Sequence, residues 1–103
     1  MNISIIFNAP SLEKNEHFII MQNITDHLKE LSEQLGNIES VEMKLYDTME
    51  DHNHNNKAVL MSVKFRKETY TEYQVADRWD KVIIDAFHSL MAKGILRNLY
   101  QHI

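Results

Sequence analysis

Cysteine is absent from this chain, so neither a disulfide framework nor thiolate chemistry is open to it. The same absence fits a reducing compartment. Glycine occurs twice and proline once in 103 residues. That leaves little material for linkers and rules out the glycine-rich loops that cradle phosphates or dinucleotides. No apolar run approaches the ~18 residues that a membrane-spanning helix needs. The opening segment, Met1-Asn2-Ile3-Ser4-Ile5-Ile6-Phe7, has no basic leader and no small-residue cleavage site, so it is not expected to act as a signal peptide. A cytoplasmic protein is the expectation, and in one the glycosylation patterns at Asn2-Ile3-Ser4 and Asn23-Ile24-Thr25 carry no weight. Excess positive charge is missing too. The net charge is −4, whereas a generic electrostatic nucleic-acid binder is usually basic. Nucleic-acid contact would therefore have to come from local patches.

What the chain does contain reads as one soluble domain, residues 1–103, with no internal repeat. Its 44% hydrophobic and 25% charged content is ordinary for a globular protein. Residues 1–8 are β-branched and aromatic and run into Asn8-Ala9-Pro10-Ser11, a buried strand followed by a turn. From about Asn15 the apolar residues Ile20, Ile24, Leu28, Leu31 and Leu35 recur at steps of three and four, the spacing of a helix with one buried stripe. Gly36 is placed for a left-handed C-cap, and Asn15 or Ser11 for the N-cap.

Beyond this helix the period changes to two. Val41, Met43 and Leu45 alternate with Glu42, Lys44 and Tyr46, a half-buried strand over Ser40–Asp47. Thr48–Asn56 is polar and acidic and is expected to be a nine-residue hairpin loop. Lys57–Lys67 alternates again, with Val59, Met61, Val63 and Phe65 inward and Ser62, Lys64 and Arg66 outward. Glu68–Gln74, rich in Thr and Tyr, makes a fourth strand. The helical period returns from Val75 to about Tyr100 through Ala76, Trp79, Ile83, Ala86, Phe87, Leu90 and Gly94. A glycine inside a helix costs about 1 kcal/mol against alanine, so Gly94 marks close packing, a kink or the end of the main helix. The expected fold is α+β, in the order β-α-β-β-β-α. Two amphipathic helices lie on one face of a four-stranded sheet, with Leu28, Trp79 and Phe87 in the shared core and the other face open.

Chemistry-bearing motifs are few. Asp51-His52-Asn53-His54 offers two imidazoles and a carboxylate, a donor set suited to zinc or nickel. Spacing of i,i+2 in a polar loop presets no coordination geometry, and Asp, Asn and His are ordinary hairpin residues. This loop is expected to be mobile, solvated and metal-free. No serine sits in a nucleophile-elbow context. His17, His27 and His88 are expected at helix surfaces, with Asp85 and His88 a local i,i+3 pair. No enzyme activity and no cofactor are expected.

Charge placement carries more information. Residues 13–36 hold Glu13, Glu16, Asp26, Glu30 and Glu33 against Lys14 and Lys29. Residues 57–67 hold Lys57, Lys64, Arg66 and Lys67 with no acid, and Arg78, Lys81, Lys93 and Arg97 fall on the non-core side of the last helix. Two readings stay open: the ordinary charge of a soluble surface, or a phosphate-contacting stripe across strand three and the last helix.

The element order and several segments resemble the ribosome-hibernation-promoting and ribosome-associated inhibitor family. Met1-Asn2-Ile3 is a typical start there. The helix ending Leu28-Lys29-Glu30-Leu31 with Leu35, then Ile38 and Ser40-Val41, is similar, as are Val41-Glu42-Met43-Lys44-Leu45 and Lys57-Ala58-Val59. In the last helix the likeness runs through Val82-Ile83-Ile84-Asp85 and on to Met91, Lys93, Ile95 and Arg97. The chain departs from the family in its acidic first helix, where lysine is usual. It departs again in Ser89-Leu90-Met91, which replaces an acid-lysine-leucine run, and in its longer segments Asn8–Asn15 and Thr48–Asn56.

This resemblance implies a stress-response translation regulator that binds the small ribosomal subunit, occupying the RNA channel between head and body without catalysis. On that basis Lys64, Arg66, Lys67, Arg78, Lys81, Lys93 and Arg97 would contact phosphates, with Tyr70 or Tyr73 stacking on a base. The alternative is a protein-interaction module that kept the fold and lost RNA binding. Its acidic first helix, open sheet face or a strand edge would meet a protein partner or a second copy.

Overall fold

The computed structural model describes residues 2–10, 12–51 and 54–101, with backbone alone for 49–51, 54–55 and 95–101. Six elements follow one another: β1 (Asn2–Asn8), α1 (Lys14–Leu35), β2 (Ile38–Asp51), β3 (His54–Phe65), β4 (Glu68–Ala76) and α2 (Trp79–Gln101). The four strands form one sheet in the order β1-β2-β3-β4. β1 runs parallel to β2 because α1 carries the chain back between them, and the remaining pairs are antiparallel. Both helices lie on one face, as the periods predicted.

The core is the meeting of the two apolar periods. Ile20, Ile24, Leu28, Leu31 and Leu35 line the buried side of α1. Trp79, Val82, Ile83, Ala86, Phe87 and Leu90 do the same for α2, and both helices pack on Val41, Met43, Leu45, Val59, Met61, Val63 and Phe65 of the sheet. Close approach explains the glycine in α2. A Cβ on Gly94 would sit 2.8 Å from Leu35 Cδ2, so the glycine lets the end of α1 press against α2.

Several boundaries differ from the sequence expectation. Thr48 pairs with Asn56 and Asp51 with His54, so most of the expected nine-residue loop is strand, with a register irregularity between Thr48 and Asp51. Backbone hydrogen bonding to a neighbour outweighs the weak strand preference of these polar residues. His52 and Asn53 lie outside the described residues, as do the side chains of Asp51 and His54, and with them the expectation of a mobile, metal-free loop. Val75 and Ala76, expected in the last helix, belong to β4 and pair with Ala58 and Lys57. The helix begins only after the Asp77-Arg78 bend. Arg66 and Lys67, expected at the end of a strand, form the turn between β3 and β4 with φ of 52° and 66°. Glu13 holds the N-cap position of α1 without a side-chain cap bond, Asn15 lies inside the helix rather than capping it, and the Ser11 expectation lies outside the described residues. Gly36 does close α1, with φ of 87° and its N–H donating to Ser32 O at 3.0 Å.

Candidate functional site

The basic residues separate into two groups at opposite ends of the domain. At one end the register brings Asn2, Ser40, Lys64 and Thr69 into one row across all four strands. Arg66 and Lys67 close the adjoining two-residue turn, where Phe65 faces Glu68. A turn of this length with positive φ at both central residues is the kind in which Asn-Gly is strongly preferred. Two side-chain-bearing cations stand there instead, both exposed. The Arg66 guanidinium lies over the Phe65 ring, 5.2 Å from its centre. Lys64 Nζ is 3.6 Å from Glu39 Oε2, with both side chains about half exposed, a contact weak enough for a phosphate to displace.

Lys93 approaches β4 from α2 on the helix-facing side, the opposite face from Lys64, and it is engaged there. Its ammonium pairs with Glu72 and donates to Thr71 O at 3.4 Å. Glu72 sits on the helix-facing side of β4, opposite Met61, with its side chain only 6% exposed. Gln74 Nε2 donates to its Oε2 at 3.4 Å, while Oε1 is the oxygen that meets the Lys93 ammonium. The Lys93 charge is therefore what compensates a buried carboxylate. Arg97 follows Lys93 by four positions on α2, and its side chain lies outside the described residues.

The other group is Arg78 and Lys81. A helix rises about 1.5 Å per residue, which puts Lys81 about 18 Å from Lys93 along the axis. Arg78 Nε lies 3.4 Å from Asp80 Oδ1 in the solvent. Beside it opens a cleft of about 390 Å³ lined by Glu16, Lys57, Asp77, Arg78, Trp79 and Asp80. Lys57 is held by Asp47 at 3.2 Å and lies 5.8 Å from the centre of the Trp79 ring. With three acids among its walls this cleft is not an anion site. The expected stripe is thus two patches, and the turn end, with Lys64, Arg66 and Lys67, has the denser exposed positive charge.

The open sheet face adds residues that the sequence reading passed over. Alternation and register set Ile6, Lys44, Leu60 and Tyr73 in one row across the four strands, with Tyr46, Ala58 and Val75 in the next. The two tyrosines proposed for base stacking are separated by the pleat. Tyr73 is exposed on the open face, whereas Tyr70 faces the helices, packs against the core and donates to Glu68 Oε2 at 3.2 Å. Lys44 and Tyr46 were visible as the polar half of an alternating strand, but only the register shows that they share a face with Tyr73.

Of the helix histidines, His17 and His88 are exposed, while His27 is half-buried with its ring stacked on Phe87, centroids 5.1 Å apart. Among the described residues no three His, Cys, Asp or Glu side chains gather as a metal site. No helix among them is long and apolar enough to cross a membrane.

No protein-family model matches the sequence, and no curated protein does. Solved structures do match in shape. One is a ribosomal subunit interface protein from Coxiella burnetii, with a TM-score of 0.67 at 12% identity, covering 96% of this chain and 99% of that one. Another is the N-terminal domain of Protein Y from Thermus thermophilus, with a TM-score of 0.63 at 14% identity, covering 91% of this chain and 96% of that one. At such identities the likeness establishes the fold: the chain has the architecture of these two proteins over nearly its whole length.

Proposed function

We propose that this chain is a non-enzymatic, cytoplasmic regulator of translation that binds the small ribosomal subunit in its RNA channel. It does so through Lys/Arg contacts to phosphates, in the manner of a hibernation factor. The observation that carries the reading is the β3–β4 turn. A non-glycine residue in the left-handed region costs on the order of 1 kcal/mol, and Arg66 and Lys67 both occupy it. Folding alone would favour Asn-Gly at these positions. Two cations stand there instead, beside Lys64 on an exposed end of the domain, and they concentrate positive charge where a phosphate backbone can reach it. The likeness to a protein named for the ribosomal subunit interface supports a ribosomal partner.

Lys64, Arg66 and Lys67 are the principal phosphate contacts. Arg97, four positions after Lys93 on α2, is a further candidate contact, Lys93 contributes field while it holds Glu72, and Arg78 and Lys81 make a second, remote contact. Tyr73 and Lys44 on the open face are placed to meet an unstacked base. The net charge of −4 makes binding depend on these patches rather than on the whole surface.

Co-sedimentation with purified small subunits at two salt concentrations tests the reading. Binding is expected at low salt and should weaken by an order of magnitude or more by ~200 mM, because phosphate neutralisation releases counterions. Replacing the turn by Arg66→Asn and Lys67→Gly should improve folding yet lower affinity, reducing the slope of log K against log salt by roughly 1.5–2. Absence of binding at low salt by correctly folded protein rejects the proposal.

A further inference from the structure

The two edges of the sheet are unlike each other. β4 carries the marks of a protected edge: acids at Glu68 and Glu72, the second pointing inward and held by Lys93. β1 carries none. Its sequence, NISIIFN, has no charge and no proline, and its ladder to β2 runs without a bulge from Asn2↔Ser40 to Asn8↔Tyr46. Beside this bare edge lies a groove of about 490 Å³ between β1 and α1, bordered by Ile3, Ile5, Met21, Thr25, Leu28 and Glu33 among others. Ile3 is 51% exposed and Phe18 73% exposed. Phe18 precedes Met21 and Thr25 at helical spacing, so it continues the groove's wall toward the start of α1.

From these features we infer that β1 and the adjoining side of α1 form a homodimer interface, in which β1 of two copies pairs antiparallel and joins the two sheets into one of eight strands. The occupant is a second copy because this surface is complementary to itself. Along that side of α1 the stripe reads Lys14, Phe18, Met21, Thr25, Lys29, Glu33 at steps of three and four. A two-fold axis passing between Met21 and Thr25 sets Lys14 of one copy opposite Glu33 of the other, and Phe18 opposite the aliphatic stem and ammonium of Lys29. Each contact is made twice. The antiparallel helices also align their dipoles favourably.

One axis suffices for helices and strands together. Phe7 touches His17, with ring centroids 4.3 Å apart, while Ile3 and Ile5 lie beside the groove that runs to Glu33. The middle of β1 therefore lies beneath the middle of the stripe. Pairing there would satisfy the outward N–H and C=O groups of β1 and close the two grooves over Ile3, Phe18 and their copies. Because β1 lies at the opposite edge of the sheet from β4, which carries the basic turn, dimer formation leaves that turn accessible.

Sedimentation velocity of the full chain, without ribosomes, tests this across a protein concentration series. A monomer–dimer equilibrium is expected, with a dissociation constant of roughly 1–100 μM, as befits a small interface. Ile3→Lys places an inward-pointing charge on the edge and should raise that constant at least tenfold, with circular dichroism and thermal melting confirming the fold. Lys14→Glu and Glu33→Lys should each weaken the dimer, and the double exchange should restore it, which a merely structural role for either residue would not produce. Thr69→Lys on the β4 edge should leave the constant unchanged. A chain that stays monomeric through the series overturns the proposal, as does a dimer indifferent to Ile3→Lys or one broken by Thr69→Lys.

Discussion

Replacing Lys93 by glutamine tests the electrostatic reading of the α2–β4 contact. Lys93 is 53% exposed, and its ammonium retains much of its hydration, whereas Glu72 beneath it is 6% exposed and faces the helices. Removing the ammonium leaves the carboxylate buried with a long bond from Gln74. Losing one partner of a fully buried pair costs about 3–5 kcal/mol. Here only one partner is buried and water reaches the other, so the cost should be near 2 kcal/mol, the range for an unsatisfied polar group. In a domain of this size each kcal/mol shifts the melting midpoint by about 4–8 °C, so Lys93→Gln should melt about 8–16 °C lower. Glu72→Gln removes the buried charge and leaves an exposed lysine, so its cost should stay below about 1 kcal/mol. In the Glu72→Gln background the Lys93→Gln change should then cost almost nothing. Urea melts of the four proteins measure the coupling. A coupling energy near zero, or a Lys93→Gln variant as stable as the parent, would refute the reasoning. The result matters for binding experiments as well: a variant meant to remove phosphate contacts should leave Lys93 in place.

The β3–β4 turn should gain about 1–2 kcal/mol from Arg66→Asn with Lys67→Gly, seen as a higher urea midpoint at unchanged slope, since both residues then suit positive φ. Leu31→Ala empties a fully buried position between the helices and should cost about 2–5 kcal/mol in the same assay. Gly94→Leu drives a side chain into Leu35 and should destabilise by about 1–3 kcal/mol. Gly94→Ala should come out near zero, because the gain in helix propensity of about 1 kcal/mol offsets the displacement of Leu35.

The core was legible from period alone. Ile20, Ile24, Leu28, Leu31 and Leu35 can share one face only in a helix, and Val59, Met61, Val63 and Phe65 only in a strand, so the element types and order were written locally. The sheet face that takes both helices follows from the same alternation, because it is the apolar one. Boundaries were another matter. Val75 and Ala76 suit either a strand end or a helix start, and pairing with Ala58 and Lys57 decided for the strand. Thr48 and Asn56 look like loop residues, and cross-strand hydrogen bonds made them strand.

For the candidate site, the sequence by itself determined that the positive charge falls on β3 and α2 and the negative charge on α1. Only the tertiary structure decided that Lys64, Arg66 and Lys67 gather at one end while Arg78 and Lys81 stand at the other. It alone showed that Lys93 serves Glu72, that Tyr73 and not Tyr70 reaches the open face, and that β1 is left as an unguarded edge. Charge and period are properties of neighbours along the chain. Distance across a sheet, the partner of a buried carboxylate and the vacancy of an edge depend on strand order and register, which join residues far apart in sequence.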